Sequence, residues 1–473
     1  MAWERSWRGV AACGVAVTVT AALVTGSVST TTPAHADVGL IADAMAQGRS
    51  ASLAEDHLPS EYTRLGPAEA AAAIAKDPRL ASERAEAVPA ADAADPLEAG
   101  LAKFKSILDT GGGVRDVARA YRELPAEATR WLAAVFPGVI GNLNGAALSD
   151  RIAANRIRAA AVVAGSRAWP SPTRPWTEAD REPRRDYSHL LDAGRQLIYF
   201  DPAANQRMGS WVEVRGELDT ADYVAVLVPG GSAFITTGEP GGFAASGNFG
   251  RYSARADSFV EAADGELAVI VWAQPPSPSG WVDEADPSWA QDAAPRLVEF
   301  MDDLNRQLDD RDVAVTVAGH SYGGAVVGLA EVQGFDADRV LHVASAGAGY
   351  GVTGPGDYQP RCRERYSMMA PGDPISYVQD IPAATGLGHG AGVHDLPGVV
   401  RLETGYLPDD PQAPDDVGRT LGSQGITGKR ISGIHAHSEV FIPDSGAWRN
   451  MLAVFSMVDP RPAATQPPRD SQC

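Results

Sequence analysis

The stretch "VAVTVAGHSYGGAVVG", which begins at Val313, holds one serine among glycines. Gly319, His320, Ser321, Tyr322 and Gly323 fit G-x-S-x-G, in which the two glycines let a strand turn sharply into a helix with the serine at the apex. A chain with 49 glycines produces such matches as ordinary turns too, so the flanking pattern has to decide. Val313, Val315 and Val317 alternate as a strand does, and the small residues Gly324 to Leu329 suit a helix packed close to a sheet. The spacing therefore predicts a serine presented as a nucleophile.

A serine hydroxyl attacks poorly until an imidazole takes its proton, and the imidazole needs a carboxylate to fix its tautomer. On a strand-turn-helix serine the chain order is serine, acid, histidine. Asp373 follows the strand-like run "RYSMMAP" in Gly372-Asp373-Pro374, at a strand tip where sites of open α/β sheets lie; Asp380 and Asp395 are the alternatives. His389, His394, His435 and His437 come after it, and His437, in a loop before the last helical pattern, is the expected base, with His435 the alternative. His320 flanks the turn. The oxyanion of an acyl-transfer intermediate needs backbone N–H donors, here Tyr322 and either Gly231 or Ser232, from the loop "PGGSA" after "YVAVLV".

The elements that must position these residues are legible as well. "QLIYFD" and "WVEVRGEL" read as an antiparallel pair, while "YVAVLVPGG", "LAVIVWA", "VAVTVAG", "RVLHVASA" and "RYSMMAP" are apolar on both faces, as buried parallel strands are. Leu297, Phe300, Met301, Leu304 and Leu308 share one helical face, with Pro295 expected near that helix's start. The expectation is an α/β fold, a mostly parallel sheet covered by helices. Before it, residues 37–165 are Ala-rich with helical spacing, and 166–185 read as a Pro-rich linker. The sheet domain is expected over 186–458, with a flexible tail over 459–473.

Residues 1–36 read as a signal peptide: Arg5 and Arg8 precede an apolar stretch, and "AHA" ends at Ala36. A secreted location and no stable membrane span after cleavage are expected. The net charge of −20 opposes nucleic acid and anionic surfaces. Beyond Cys13 the chain has only Cys362 and Cys473, and whether they are bridged is left open by the sequence. No H-E-x-x-H, C-x-x-C or G-K-[ST] motif occurs, so neither a metal nor another cofactor is expected.

Together with "FPGVIGNLNGAALSDRIAANR", "VLVPGG", "GHSYGG", "GDP" and "HSEVFIPDSGAWRNM", the chain resembles the α/β-hydrolase superfamily. Within it the chain resembles a secreted actinobacterial family long catalogued as a domain of unknown function. The resemblance runs from about Trp131 to Val454 and implies Ser321, Asp373 and His437 as nucleophile, acid and base. Val440 stands where the family usually carries an aromatic residue. The expected function is a secreted serine hydrolase of carboxylic esters, with a small-molecule or lipid-like ester as substrate. A peptidase or amidase with the same three residues, and a non-catalytic binding protein on the same fold, are the alternatives. The loops from Trp272 and from Gly386 are expected to set specificity.

Overall fold

The computed structural model describes residues 103–104, 106–107, 112–135, 137–164, 188–192, 194–235, 248–379, 381, 386–408, 428–470 and 473. The expected signal peptide and linker lie outside them. Eight strands make one sheet: β1 (Gln196–Asp201), β2 (Ser210–Arg215), β3 (Tyr223–Val228), β4 (Leu267–Ala273), β5 (Ala314–His320), β6 (Arg339–Val343), β7 (Glu364–Met368) and β8 (Val400–Leu402). Their order is β1-β2-β4-β3-β5-β6-β7-β8. Only β2 runs against its neighbours, pairing antiparallel with β1 and β4, whereas β4, β3, β5, β6, β7 and β8 are parallel. Every residue of β4 is buried, which follows from its unbroken apolar run and requires helices on both faces.

Those helices sort by the faces their apolar residues line. α4 (Phe249–Ala262) and α8 (Gly446–Phe455) cover one side, where Phe259 stacks on Trp448 and meets Phe455 edge-on. Ser445 starts α8 by accepting a hydrogen bond from the Trp448 N–H, a cap worth about 1 kcal/mol. On the other side lie α6 (Ser288–Leu308) and α7 (Tyr322–Gln333). Leu297, Phe300, Met301 and Leu304 are fully buried there, each contributing roughly 1.5–3 kcal/mol of transfer free energy. α6 begins at Ser288, well before Pro295, so the proline is interior rather than near the start. Ala290, Ala293 and Ala294 extend the buried face upstream, and Pro295 sits on the exposed side, where water can satisfy the freed Gln291 carbonyl.

The described part of the N-terminal region is helical: α1 (Val114–Arg122), α2 (Ala126–Val135) and α3 (Leu148–Ala164) enclose a small core of Phe104, Tyr121, Leu132 and Ile140. This unit is bonded to the sheet domain through polar groups. Arg151 on α3 pairs with Asp303 on α6 at 2.7 Å, both side chains buried, and Asp303 also accepts from the Gly145 N–H. Asn142 brackets Phe200 of β1, donating to its carbonyl and accepting from its N–H, and Asn155 donates to the Leu197 carbonyl.

The described residues of the stretch 459–473, expected as a flexible tail, run beside β8. Pro462 bridges Leu402, the Ala463 N–H donates to the Arg401 carbonyl, and the Gly398 N–H donates to the Pro468 carbonyl. Arg361 grips Asp470 with two hydrogen bonds, and Cys362 is bridged to Cys473 across Cα atoms 5.3 Å apart.

Candidate active site

Ser321 occupies the turn between β5 and α7 with φ 56° and ψ −128°, a left-handed conformation that costs an L-residue energy. Its N–H donates to the Val343 carbonyl and its carbonyl accepts from Gly324 and Ala346, so the neighbouring strand holds the strained turn. The glycines of the motif are required by close approach. A Cβ on Gly319 would lie 2.5 Å from the Gly323 carbonyl oxygen, and one on Gly323 would lie 2.3 Å from that of Pro229. The turn can therefore close on itself only without a side chain at Gly319, and nest against the end of β3 only without one at Gly323.

Three residues from distant segments meet here. The Ser321 Oγ is 2.9 Å from His437 Nε2, and His437 Nδ1 is 3.1 and 3.0 Å from the two oxygens of Asp373. The Asp373 carboxylate is fully buried and also accepts from the Ile375 N–H, because Asp373 caps the 3₁₀ turn Pro374–Tyr377. A carboxylate acceptor obliges Nδ1 to carry the proton, which leaves Nε2 as the acceptor facing the serine hydroxyl. His437 sits on the short helical turn Ala436–Glu439, and the Gly433 N–H bonds the Pro371 carbonyl, tying the histidine loop to the aspartate loop. His435 is exposed at the start of that turn and away from this chain of bonds. Asp395 pairs with Arg401, and Asp380 lies outside the described residues.

The backbone donors divide. Tyr322 is the first residue of α7, so its N–H has no intrahelical acceptor and is available beside Ser321. The Ser232 N–H donates to the Pro278 carbonyl at 2.8 Å and is already committed. Gly231 carries no such bond among the described residues, and adjacent Gly230 lies against Ser321, since a Cβ there would come within 2.9 Å of the serine Cβ. Of the two residues read from the sequence, Gly231 is the one whose N–H is uncommitted among the described residues.

One hydrogen-bond relay went unread in the sequence. The Gly230 N–H donates to the Tyr252 hydroxyl at 2.9 Å, that hydroxyl is 2.7 Å from His320 Nδ1, and His320 Nε2 is 2.9 Å from the His437 carbonyl oxygen. The carbonyl can only accept, so Nε2 holds the His320 proton and Nδ1 accepts from Tyr252. Burial keeps the ring neutral by lowering its pKa well below the usual histidine value, with His437 and Arg255 adding to the effect. His320 thus joins the glycine loop, the turn and the histidine loop. Nothing local marks Tyr252, which lies 68 residues before its partner.

The two loops expected to govern specificity also meet here. α5 (Trp281–Ala285) ends the Trp272 loop, and its Glu284 carbonyl accepts from His389 Nε2 at 2.6 Å while its Ala285 carbonyl accepts from the Gly388 N–H. The His389 ring stands edge-on to Tyr322 with centroids 5.9 Å apart. A cavity of about 20 Å³ behind Tyr322, bounded by Gly230, Trp272 and Ser277, has room for one water and no substrate group.

Residues 201–383 match a family model described as an alpha/beta hydrolase. The match and the sheet order above agree on an α/β-hydrolase fold for this part of the chain. A search of curated protein sequences finds no match. Among solved structures, a lipase/esterase from Lactobacillus plantarum is 13% identical over 34% of this chain and 72% of its own, with a TM-score of 0.22. A poly(3-hydroxybutyrate) depolymerase from Bordetella parapertussis is 16% identical over 46% of this chain and 86% of its own, at 0.26. Est1E from Butyrivibrio proteoclasticus is 14% identical at 0.20, over 32% of this chain and 51% of its own, so the chain spans about half of that protein. Likenesses this distant say nothing about substrate.

Proposed function

We propose that the protein is a secreted serine hydrolase that cleaves carboxylic esters through an acyl-enzyme intermediate. The observation that carries this reading is the continuous hydrogen-bonded chain from Asp373 through His437 to Ser321, at 3.0 and 2.9 Å. Ser321 attacks the ester carbonyl as His437 Nε2 takes its proton, and the proton then passes to the leaving alcohol. Water repeats the sequence on the acyl-enzyme. Asp373 holds the imidazole and stabilises its charged form, and the Tyr322 and Gly231 N–H groups receive the oxyanion. Secretion draws support from the signal-like leader and from the Cys362–Cys473 disulfide, a bond that persists in oxidising compartments.

The test is hydrolysis of an aryl ester series of rising acyl length, beside aryl anilides, by the mature protein and its Ser321→Ala variant. Esters should be cleaved, and the variant should lose at least about 10³-fold in kcat while keeping its fold. Cleavage of anilides alone would assign a peptidase or amidase instead. If neither class is cleaved and a fluorophosphonate leaves Ser321 unlabelled, the non-catalytic reading replaces this one.

A further inference from the structure

Glu284 is an acidic side chain set directly against the proposed oxyanion loop, and the proposed mechanism does not use its charge. Its carboxylate lies on the face of Gly231: a Cβ built on that glycine would meet Glu284 Oε1 at 2.2 Å, Cδ at 2.6 Å and Cγ at 2.8 Å. Any residue but glycine at 231 would displace it. Its backbone is pinned on both sides, the N–H to the Gly280 carbonyl and the carbonyl to His389 Nε2. No hydrogen bond or ion pair engages the carboxylate itself among the described residues, although it is only partly exposed. Burial raises its pKa above the usual carboxylate range, and a charged His437 pulls it back, which places the two groups within electrostatic reach.

A structural carboxylate so placed would be expected to carry an Arg or Lys partner, as Asp303 and Glu331 do in this chain. Left without one against the Gly231 loop, it offers negative potential to whatever binds there, favouring a cation and repelling an anion. We propose that Glu284 is a specificity-determining residue that selects esters bearing a cationic group, an alkylammonium or guanidinium, close to the scissile carbonyl. The inference rests on the serine-hydrolase reading above and goes beyond it by naming a substrate class.

The test compares kcat/KM for charged esters with neutral isosteres, in which a tert-butyl group replaces trimethylammonium. One pair carries the group in the alcohol and another in the acyl part. The protein should prefer the cation by about tenfold or more in at least one pair. The ratio should fall toward one in Glu284→Gln and persist in Asp283→Asn, which removes a neighbouring charge of the same sign. A ratio near one in both pairs, a ratio retained in Glu284→Gln, or an equal loss in Asp283→Asn overturns the inference and leaves the hydrolase reading standing. If no ester is cleaved and Ser321 resists a fluorophosphonate, the hydrolase reading fails and takes this inference with it.

Discussion

The most consequential single residue outside the proposed Ser321–His437–Asp373 set is His320, whose ring is buried, neutral and bonded at both nitrogens. Its folded pKa is lowered below the ordinary 6.5, so the unfolded chain binds more protons as pH falls through that value. Stability is therefore fully present above about pH 6.5 and declines below it, by at most about 1.4 kcal/mol per pH unit for this residue. His389 shifts in the same direction, again chiefly through burial. Urea unfolding at about pH 7.5 and about pH 5 should show the decline, and His320→Gln should flatten it; an unchanged slope in the variant would assign the acid sensitivity elsewhere. At this scale the residues that meet in the candidate site were partly legible in the sequence. Ser321 announces itself by flanking glycines, Asp373 by its place after a strand, and His437 by its place before the last helix. Tyr252 and Glu284 stayed hidden because each matters only through a neighbour brought close by the fold.

Among the elements, the turn from β5 to α7 is the most tightly constrained. Placing a methyl group on Gly323 would press the turn off the Val228 and Pro229 carbonyls at the end of β3. Gly323→Ala should therefore cost about 1–3 kcal/mol, as overpacking does, and should slow fluorophosphonate labelling of Ser321 by moving it from His437. Thermal unfolding and labelling rates check both, and a variant as stable and as reactive as the parent would show that the turn is looser than its contacts suggest. The strands from β1 to β7 were legible because period-two and all-apolar runs are strong local signals. β8 was not: Val400, Arg401 and Leu402 are too few to carry a pattern and pair only because β7 is there. The start of α6 was misplaced for the opposite reason, a strong local signal in Pro295 outweighed by the buried alanines upstream.

For the molecule as a whole, the Cys362–Cys473 bridge spans 111 residues and fastens the end of the chain to the sheet domain. Closing so long a loop restricts the unfolded chain, and its loss should lower stability by about 2–5 kcal/mol. Cys362→Ser/Cys473→Ser, or the reduced parent, should melt at lower temperature than the oxidised protein; equal melting would mean that Arg361, Asp470 and the backbone bonds near β8 hold the tail unaided. The sequence supplied both cysteines but not their proximity, which depends on where the ends of β6, β7 and the tail fall in space.

The same fastening bears on self-association. An open sheet ends in two strands whose outer N–H and carbonyl groups can recruit another chain. Here β1 is occupied by Asn142 and Asn155, and β8 by a segment containing Pro462, Pro467 and Pro468, residues that cannot continue a ladder. The protein supplies its own stoppers at both margins, and the one at β8 is locked by a bond that only a reductant opens. Reducing that bond is therefore expected to raise edge-paired aggregation, and light scattering before and after reduction would check it.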